Sequence, residues 1–232
     1  MRNYVIINGS SSLNVSGLAI KELPSISKPP MRYLSETIDG RDGDIITKLG
    51  YGAYDKELEI GLYDGYDINT IIAFFNGNGT ITFSNELDKV YRFEILEQID
   101  YEKLLRFKQA IVTIHCQPFK YPVSETPIVI TSTTAQTITN AGNIYSKPTI
   151  VIEGNGTINV TLNGSQIFSV TITDKIVIDS EKLEAYHPTS LVLMNRDVTG
   201  NIANLIFNKG SNSITFTGDF TKATISNYTR WL

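Results

Sequence analysis

Alternation of apolar and polar residues governs the second half of this chain and confines it to pleated strands. Between positions 157 and 162, Ile158, Val160 and Leu162 point one way while Thr157, Asn159 and Thr161 point the other. Asn163-Gly164 follows at once, a dipeptide that tolerates the positive φ angles of a two-residue hairpin loop. Phe168, Val170 and Ile172 then repeat the alternation on the return. Further short strands are predicted over residues 175–178, 191–194, 213–217 and 223–228. Strands at this spacing, with no helical period among them, predict a β-sandwich or jelly roll.

The first half is mixed. A strand over residues 4–7 ends in the Asn8-Gly9 turn, and Leu23-Pro24 and Lys28-Pro29-Pro30 then impose an extended path. Residues 33–39 and 44–49 flank Gly40-Arg41-Asp42-Gly43 and predict a β-hairpin. Another strand is predicted over residues 57–63. Asp67 is placed to cap one short helix over residues 68–75, with Ile68, Ile71, Ile72 and Phe75 on one face. Strands follow over residues 80–83, 91–98 and 107–117. Gly-Asn-Gly-Thr-Ile occurs at 77–81 and again at 154–158, but the flanks do not align, so the match reads as shared turn chemistry.

Domain organisation follows the composition. Residues 1–120 carry 13 Lys+Arg and 16 Asp+Glu, against 7 and 8 in residues 121–232, where Thr, Asn, Ile and Val dominate instead. Prolines at 122 and 127 and a Thr/Ser-rich stretch separate the halves. The division is an N-terminal domain over 1–122, a connecting segment over 123–139, part of which could itself be a strand, and a C-terminal β-sandwich over 140–232.

The net charge of −4, without a basic cluster, argues against nucleic-acid binding, because neutralising phosphates needs grouped Lys and Arg. The longest apolar run, Ile71 to Phe75, is about five residues, and spanning a bilayer takes about 20. No membrane insertion and no export signal are expected. With one cysteine, Cys116, neither an intramolecular disulfide nor a cysteine-based zinc site can form.

Catalytic constellations fail one by one. His115 and Cys116 are neighbours on a predicted strand, and alternation sends them to opposite faces. His187 precedes Pro188 in a loop. Asp39, Asp42 and Asp44 suggest calcium, yet the third and fifth positions counted from Asp39 are Arg41 and Gly43, not oxygen donors. Asp179, Glu181 and Glu184 form the densest acidic group of the second half and read as a polar turn. Gly77-Asn78-Gly79 precedes a strand and lacks the Gly-Lys-Ser/Thr of a phosphate loop. No catalytic, cofactor or metal residue is assigned. Tyr and Phe total 22, and Trp231, Tyr186 or Tyr228 could stack on a sugar, although a core or interface role is the commoner use of such rings.

A run of motifs extends nearly end to end. Ile7-Asn8-Gly9 leads to Leu23-Pro24 and then to Ile38-Asp39-Gly40-Arg41-Asp42-Gly43. Gly50 and Tyr51-Gly52-Ala53-Tyr54 follow, then the passage from Phe74 to Ser84. Cys116-Gln117-Pro118-Phe119-Lys120-Tyr121 closes the first domain. Asn140-Ala141-Gly142-Asn143, Lys147-Pro148 and Ile176-Val177-Ile178-Asp179-Ser180-Glu181 through Tyr186 stand in the second. In this order the motifs resemble the distal tail protein family of siphophages that infect Gram-positive bacteria, which more often has Trp at the position of Phe74.

The resemblance implies a mainly β fold, with a ring-forming belt domain bearing one short helix and a galectin-like sandwich outside it. It implies a non-enzymatic baseplate component at the distal end of the virion tail, made in the host cytoplasm. Its copies would form a hexamer joining the tail tube to the tail-associated lysin or fibre protein, with receptor-binding protein as a further partner. Strand edges and extended segments would supply ring contacts, with Pro29, Pro30, Arg41 and Asp42 as the expected assembly residues. The alternative from the residues alone is a carbohydrate-binding module that recognises host cell-wall polysaccharide through residues 140–232.

Overall fold

A computed structural model describes residues 2–232, and the chain divides into two compact units, residues 2–123 and 124–231. Strand makes up 53% and helix 10%, so the fold is mainly β.

In the first unit the elements run β1 (Val5–Ile7), β2 (Ser10–Ser11), β3 (Leu18–Glu22), β4 (Met31–Thr37), β5 (Asp44–Tyr51) and β6 (Tyr54–Leu62). There follow α1 (Ile68–Phe74), β7 (Asn78–Phe83), β8 (Lys89–Glu94), α2 (Tyr101–Phe107) and β9 (Gln109–Pro122). Seven of the strands form one antiparallel sheet in the order β2-β1-β7-β8-β9-β6-β3. Its inner face carries Leu58, Ile60, Ile81, Phe83, Tyr91, Val112 and Ile114, all buried. Helix side chains cover that face: Ile71 and Phe75 from α1 and its C-cap, Leu104 from α2.

Asp67 caps α1 as the sequence predicts, its carboxylate accepting from the Asn69 amide at 3.1 Å. Ile72, grouped with the buried face in the sequence, is exposed, because one turn of contact accommodates only part of so short a helix. A second helix, α2, corrects the expectation of one. Asp100 caps it by accepting from the Lys103 amide at 2.8 Å, and Lys108 ends it in the left-handed region at φ 58°.

The second unit comprises β10 (Ile128–Ile130), β11 (Gln136–Asn140), β12 (Thr149–Leu162), β13 (Ser165–Ile172) and β14 (Lys175–Asp179). It is completed by β15 (Glu184–Tyr186), β16 (Val198–Gly200) and β17 (Gly210–Ser226). Two long strands organise it. The first part of β12 lies between β14 and the end of β17, and its last part lies between β13 and the start of β17. The register breaks between these parts, at Gly154 to Ile158. The one sheet therefore curls into two facing layers that enclose Ile150, Ile152, Ile158, Val160, Phe168, Val170, Ile178, Phe216 and Ile225.

Glycine is required at the fold line. A Cβ on Gly154 would lie 2.3 Å from the Asp219 carbonyl, and Gly156, at φ 131°, would meet the Asp219 carboxylate at 2.0 Å. The second Gly-Asn-Gly is thus a bend inside a strand, whereas the first leads into β7. Asn163 and Gly164 do form the two-residue hairpin loop, both at positive φ.

Tertiary pairing decides two further segments. Residues 128–130 and 136–140, inside or touching the stretch read as a connection, pair with opposite ends of β17. Residues 191–194, read as a strand, form only a single bridge from Leu193 to Tyr186.

Phe216 is fully buried between the two layers and stacks on Phe220 at 4.9 Å. Phe216→Ala is expected to cost about 3–5 kcal/mol of second-unit stability. The lone Trp231 belongs to that unit, so its fluorescence during denaturant unfolding should report the loss.

Candidate assembly surface

One element of the first unit joins neither layer nor core. Strands β4 and β5 pair only with each other, forming a ribbon of seven and eight residues that stands apart as an arm. Tyr33, Leu34, Ile38, Ile46 and Leu49 on it are all at least 50% exposed. Cross-strand register places Tyr33 beside Lys48 and Ser35 beside Ile46 on one face, and Leu34 beside Thr47 and Glu36 beside Ile45 on the other. Apolar side chains therefore occupy both faces. A two-stranded ribbon is marginal in water by itself, and exposed apolar groups on both sides are the kind of surface that marks interaction sites.

The arm is firmly rooted. Residues 23–30 reach it as an extended lead-in, held by Asn85 donating to the Pro24 carbonyl at 3.2 Å and Lys56 donating to the Ser25 carbonyl at 2.8 Å. At its base the Gly52 amide donates to the Pro30 carbonyl at 2.8 Å, and Tyr51 meets the Phe119 ring edge-on at 5.7 Å. At the tip, the Arg41 amide donates to the Ile38 carbonyl at 3.1 Å, with Gly40 at φ 81° supplying the turn.

Of the four residues singled out from the sequence, Arg41 and Asp42 lie exposed at the tip and Pro30 lies exposed at the base. Pro29 is buried, so it fixes the path of the lead-in and is not part of the surface. The seven-residue strand holds the two pairs about 20 Å apart. The apolar residues between them are what the sequence reading missed. Tyr33-Leu34 and Ile45-Ile46 are adjacent pairs that mark no single inner face, and only the tertiary structure leaves both faces uncovered.

Lys56 is a buried cation of this region. Its ammonium sits among the Tyr54, Phe83 and Tyr91 rings, at 5.1, 5.9 and 5.1 Å from their centroids. Burial lowers its pKa below the ordinary lysine value of 10.5, with Lys120 adding repulsion and Glu86 opposing it. Lys120 itself pairs with Glu86 at 2.9 Å, and Glu86 also accepts from the Tyr91 hydroxyl.

The other groups weighed in the sequence sit as follows. His115 lies on the outer face of the sheet, its Nδ1 2.7 Å from Asp55, while Cys116 points into the core. Burial pushes the Cys116 thiol up to about 12, so it stays protonated at neutral pH. Asp179 accepts from the Glu181 and Lys182 amides at 3.0 Å each, closing a polar turn. His187 Nδ1 accepts from the Thr189 and Ser190 amides, which organises its own loop. Tyr186, Tyr228 and Trp231 are half-buried, and Tyr228 donates its hydroxyl to the Thr126 carbonyl at 3.0 Å. Among the described residues no three His, Cys, Asp or Glu side chains converge to hold a metal, and no helix is long and apolar enough to cross a membrane.

Among solved structures, the SPP1 Dit (gp 19.1) protein shares this fold along the whole chain. That protein is presented as a paradigm of the hub adsorption apparatus of phages infecting Gram-positive bacteria. The TM-score is 0.68, with 16% identity and 100% of each chain covered. A chain of the phage P2 baseplate, in its activated conformation with Ca, aligns over 97% of each chain at 10% identity and a TM-score of 0.48. No family model matches the sequence, and no curated protein matches it.

The buried lysine makes the arm's root pH-sensitive in a defined direction. Between its lowered folded-state pKa and 10.5, the unfolded chain holds a proton that the folded chain has released, so stability rises with pH through that window. Lys56→Met removes this dependence. Wild type is expected to gain stability over the variant as pH is raised from 7 to 10, measured by paired denaturant titrations.

Proposed function

We propose that this chain is a structural component of a bacteriophage tail tip or baseplate, and that six copies close into a ring through the arm. The ring would join the tail tube to the tail-associated lysin or fibre protein, with receptor-binding protein as a further neighbour, at the distal end of the virion tail. On this reading the chain is made in the host cytoplasm and is not an enzyme.

The observation that carries the reading is the arm: a rooted ribbon with apolar side chains on both faces and charged residues at its tip. Pro30, Arg41 and Asp42 flank or tip that ribbon and are assigned to the contact, while Pro29 sets its direction. A ring needs a heterologous interface, in which one patch meets a different patch on the next copy and the rotation closes. An arm reaching away from its own core supplies one half of such an interface. The likeness of fold to the SPP1 hub protein supports placing that ring in a tail.

The test is the mass and shape of the purified chain. Wild type is expected to form a closed ring with a central opening, seen by electron microscopy and weighed by native mass spectrometry. Leu34→Glu with Ile46→Glu, one on each face of the arm, should leave folded monomers. A wild-type chain that remains monomeric at high concentration, alone and with its tail partners, would refute the ring.

A further inference from the structure

The arm needs a receiving surface, and its charge narrows the choice. Residues 36–44, its distal half, carry Glu36, Asp39, Asp42 and Asp44 against Arg41 alone. Exposed Leu34, Ile38 and Ile46 lie alongside them. The complement is a surface that is both cationic and apolar.

The first unit holds 13 Lys and Arg between residues 1 and 120, and most are committed. Lys28, Arg32, Arg41 and Lys48 belong to the arm or its lead-in. Lys56 and Lys120 are buried in the core. Lys21 faces Glu59 at 4.0 Å and donates to Gln109 at 2.9 Å, and Lys89 pairs with Asp88. Arg2 donates to the Leu18 carbonyl at 3.2 Å, and Arg92, unlike the exposed cations of α2, is half-buried, 4.3 Å over the Tyr121 ring. What is left is Lys103, Arg106 and Lys108, on α2 and its C-cap.

That short stretch has the required character. No acidic residue lies between Lys103 and Lys108, all three cations are exposed, and the sole acid in α2, Glu102, sits in its first turn. Two apolar side chains stand among them: Leu105, 38% exposed, and Phe107, 60% exposed. Arg106 stacks on Phe107 at 5.4 Å and Lys108 on Tyr66 at 4.6 Å, which spreads the cations over aromatic surface and leaves their charge uncompensated by those contacts. Cations at a helix C-terminus also suit its dipole, but the dipole gives no reason to expose Leu105 and Phe107.

We propose that the acidic, apolar distal half of the arm docks on the C-terminal end of α2 in the neighbouring copy. The partner is a second copy of this chain. The two patches are different segments of the same unit, so each copy offers an arm to one neighbour and a helix end to the other, the head-to-tail arrangement that closes a ring. This pairing rests on the ring reading above and names its second half.

The experiment reverses one patch at a time. Asp39→Lys with Asp42→Lys turns the distal arm cationic, and Lys103→Glu with Arg106→Glu turns the helix end anionic. Each variant alone sets like charges against each other and is expected to weaken self-association at least about tenfold, at low salt. Mixed in equal amounts the two should regain closed rings, because each variant's arm then meets an opposite charge. Native mass spectrometry should find equal numbers of the two in every ring, a pattern that misfolding cannot produce.

Variants that assemble as wild type does, or a mixture that stays dissociated while both variants keep the wild-type circular dichroism and melting, would overturn the pairing and leave the ring standing. A monomeric wild type would remove both. Salt supplies a measurement that needs no variant. Raising ionic strength from about 50 mM to 500 mM should weaken wild-type rings several-fold, and rings indifferent to salt would overturn the pairing.

Discussion

An antiparallel sheet with one apolar face is stable only when something covers that face, and the two units of this chain meet the requirement in two ways. The first unit covers it with side chains from two short helices, Ile71, Phe75 and Leu104. The second unit uses no α-helix and curls the sheet over itself at the Gly154–Gly156 bend, so that one half of β12 faces the other across the core. The arm has neither device. Its two strands satisfy each other's hydrogen bonds along one edge and leave Tyr33, Leu34, Ile46 and Leu49 in solvent. Neither core covers them.

Rooting matters as much as exposure. A flexible ribbon would lose conformational entropy each time it docked, which erodes affinity, whereas a preorganised one has already lost it. The buried ends of the lead-in provide that preorganisation. Lys56 reaches the Ser25 carbonyl from inside an aromatic cage, Asn85 holds Pro24, and Tyr51 rests on Phe119. Burying an ammonium is costly, and the Ser25 carbonyl and the surrounding rings offset part of that cost. The lysine stands where Leu58 and Ile60 stand farther along the same strand, and an aliphatic residue there would pack without desolvating a charge.

Local chemistry was legible wherever it sufficed. Asn163-Gly164 needs only its own backbone to make a hairpin, and Asp67 needs only the next turn to cap a helix, so both could be read directly. Gly40 likewise announced the turn at the arm's tip. Tertiary decisions were not legible. Helix α2 buries a single side chain, Leu104, which is too little to stamp a period on seven residues. The residues of β10 and β11 become strands because β17 is 17 residues long and offers free edges at both ends. A glycine pair that usually marks a turn became a bend because Asp219 approaches it from the partner strand. Pro29 and Pro30 carry one backbone instruction, yet one is buried and the other exposed, a difference set by what packs around them.

The arm's residues also bear on how such a surface avoids indiscriminate aggregation. An exposed ribbon with two free edges and apolar faces is a template for unwanted strand addition. Four carboxylates in its distal half make it repel an identical arm, since two tips brought edge to edge set like charges directly opposite one another. The same charge favours a cationic receiver. A hydrophobic contact supplies affinity without direction, and the carboxylates supply direction at little cost in affinity, because exposed charges are weak when paired and unfavourable when crowded. Reading the tip as acidic turn residues alone leaves unexplained why the charge sits on the one ribbon that most needs protection from itself. On the proposed pairing, repulsion between identical arms accounts for the position of the charge, and the cationic receiver accounts for its sign.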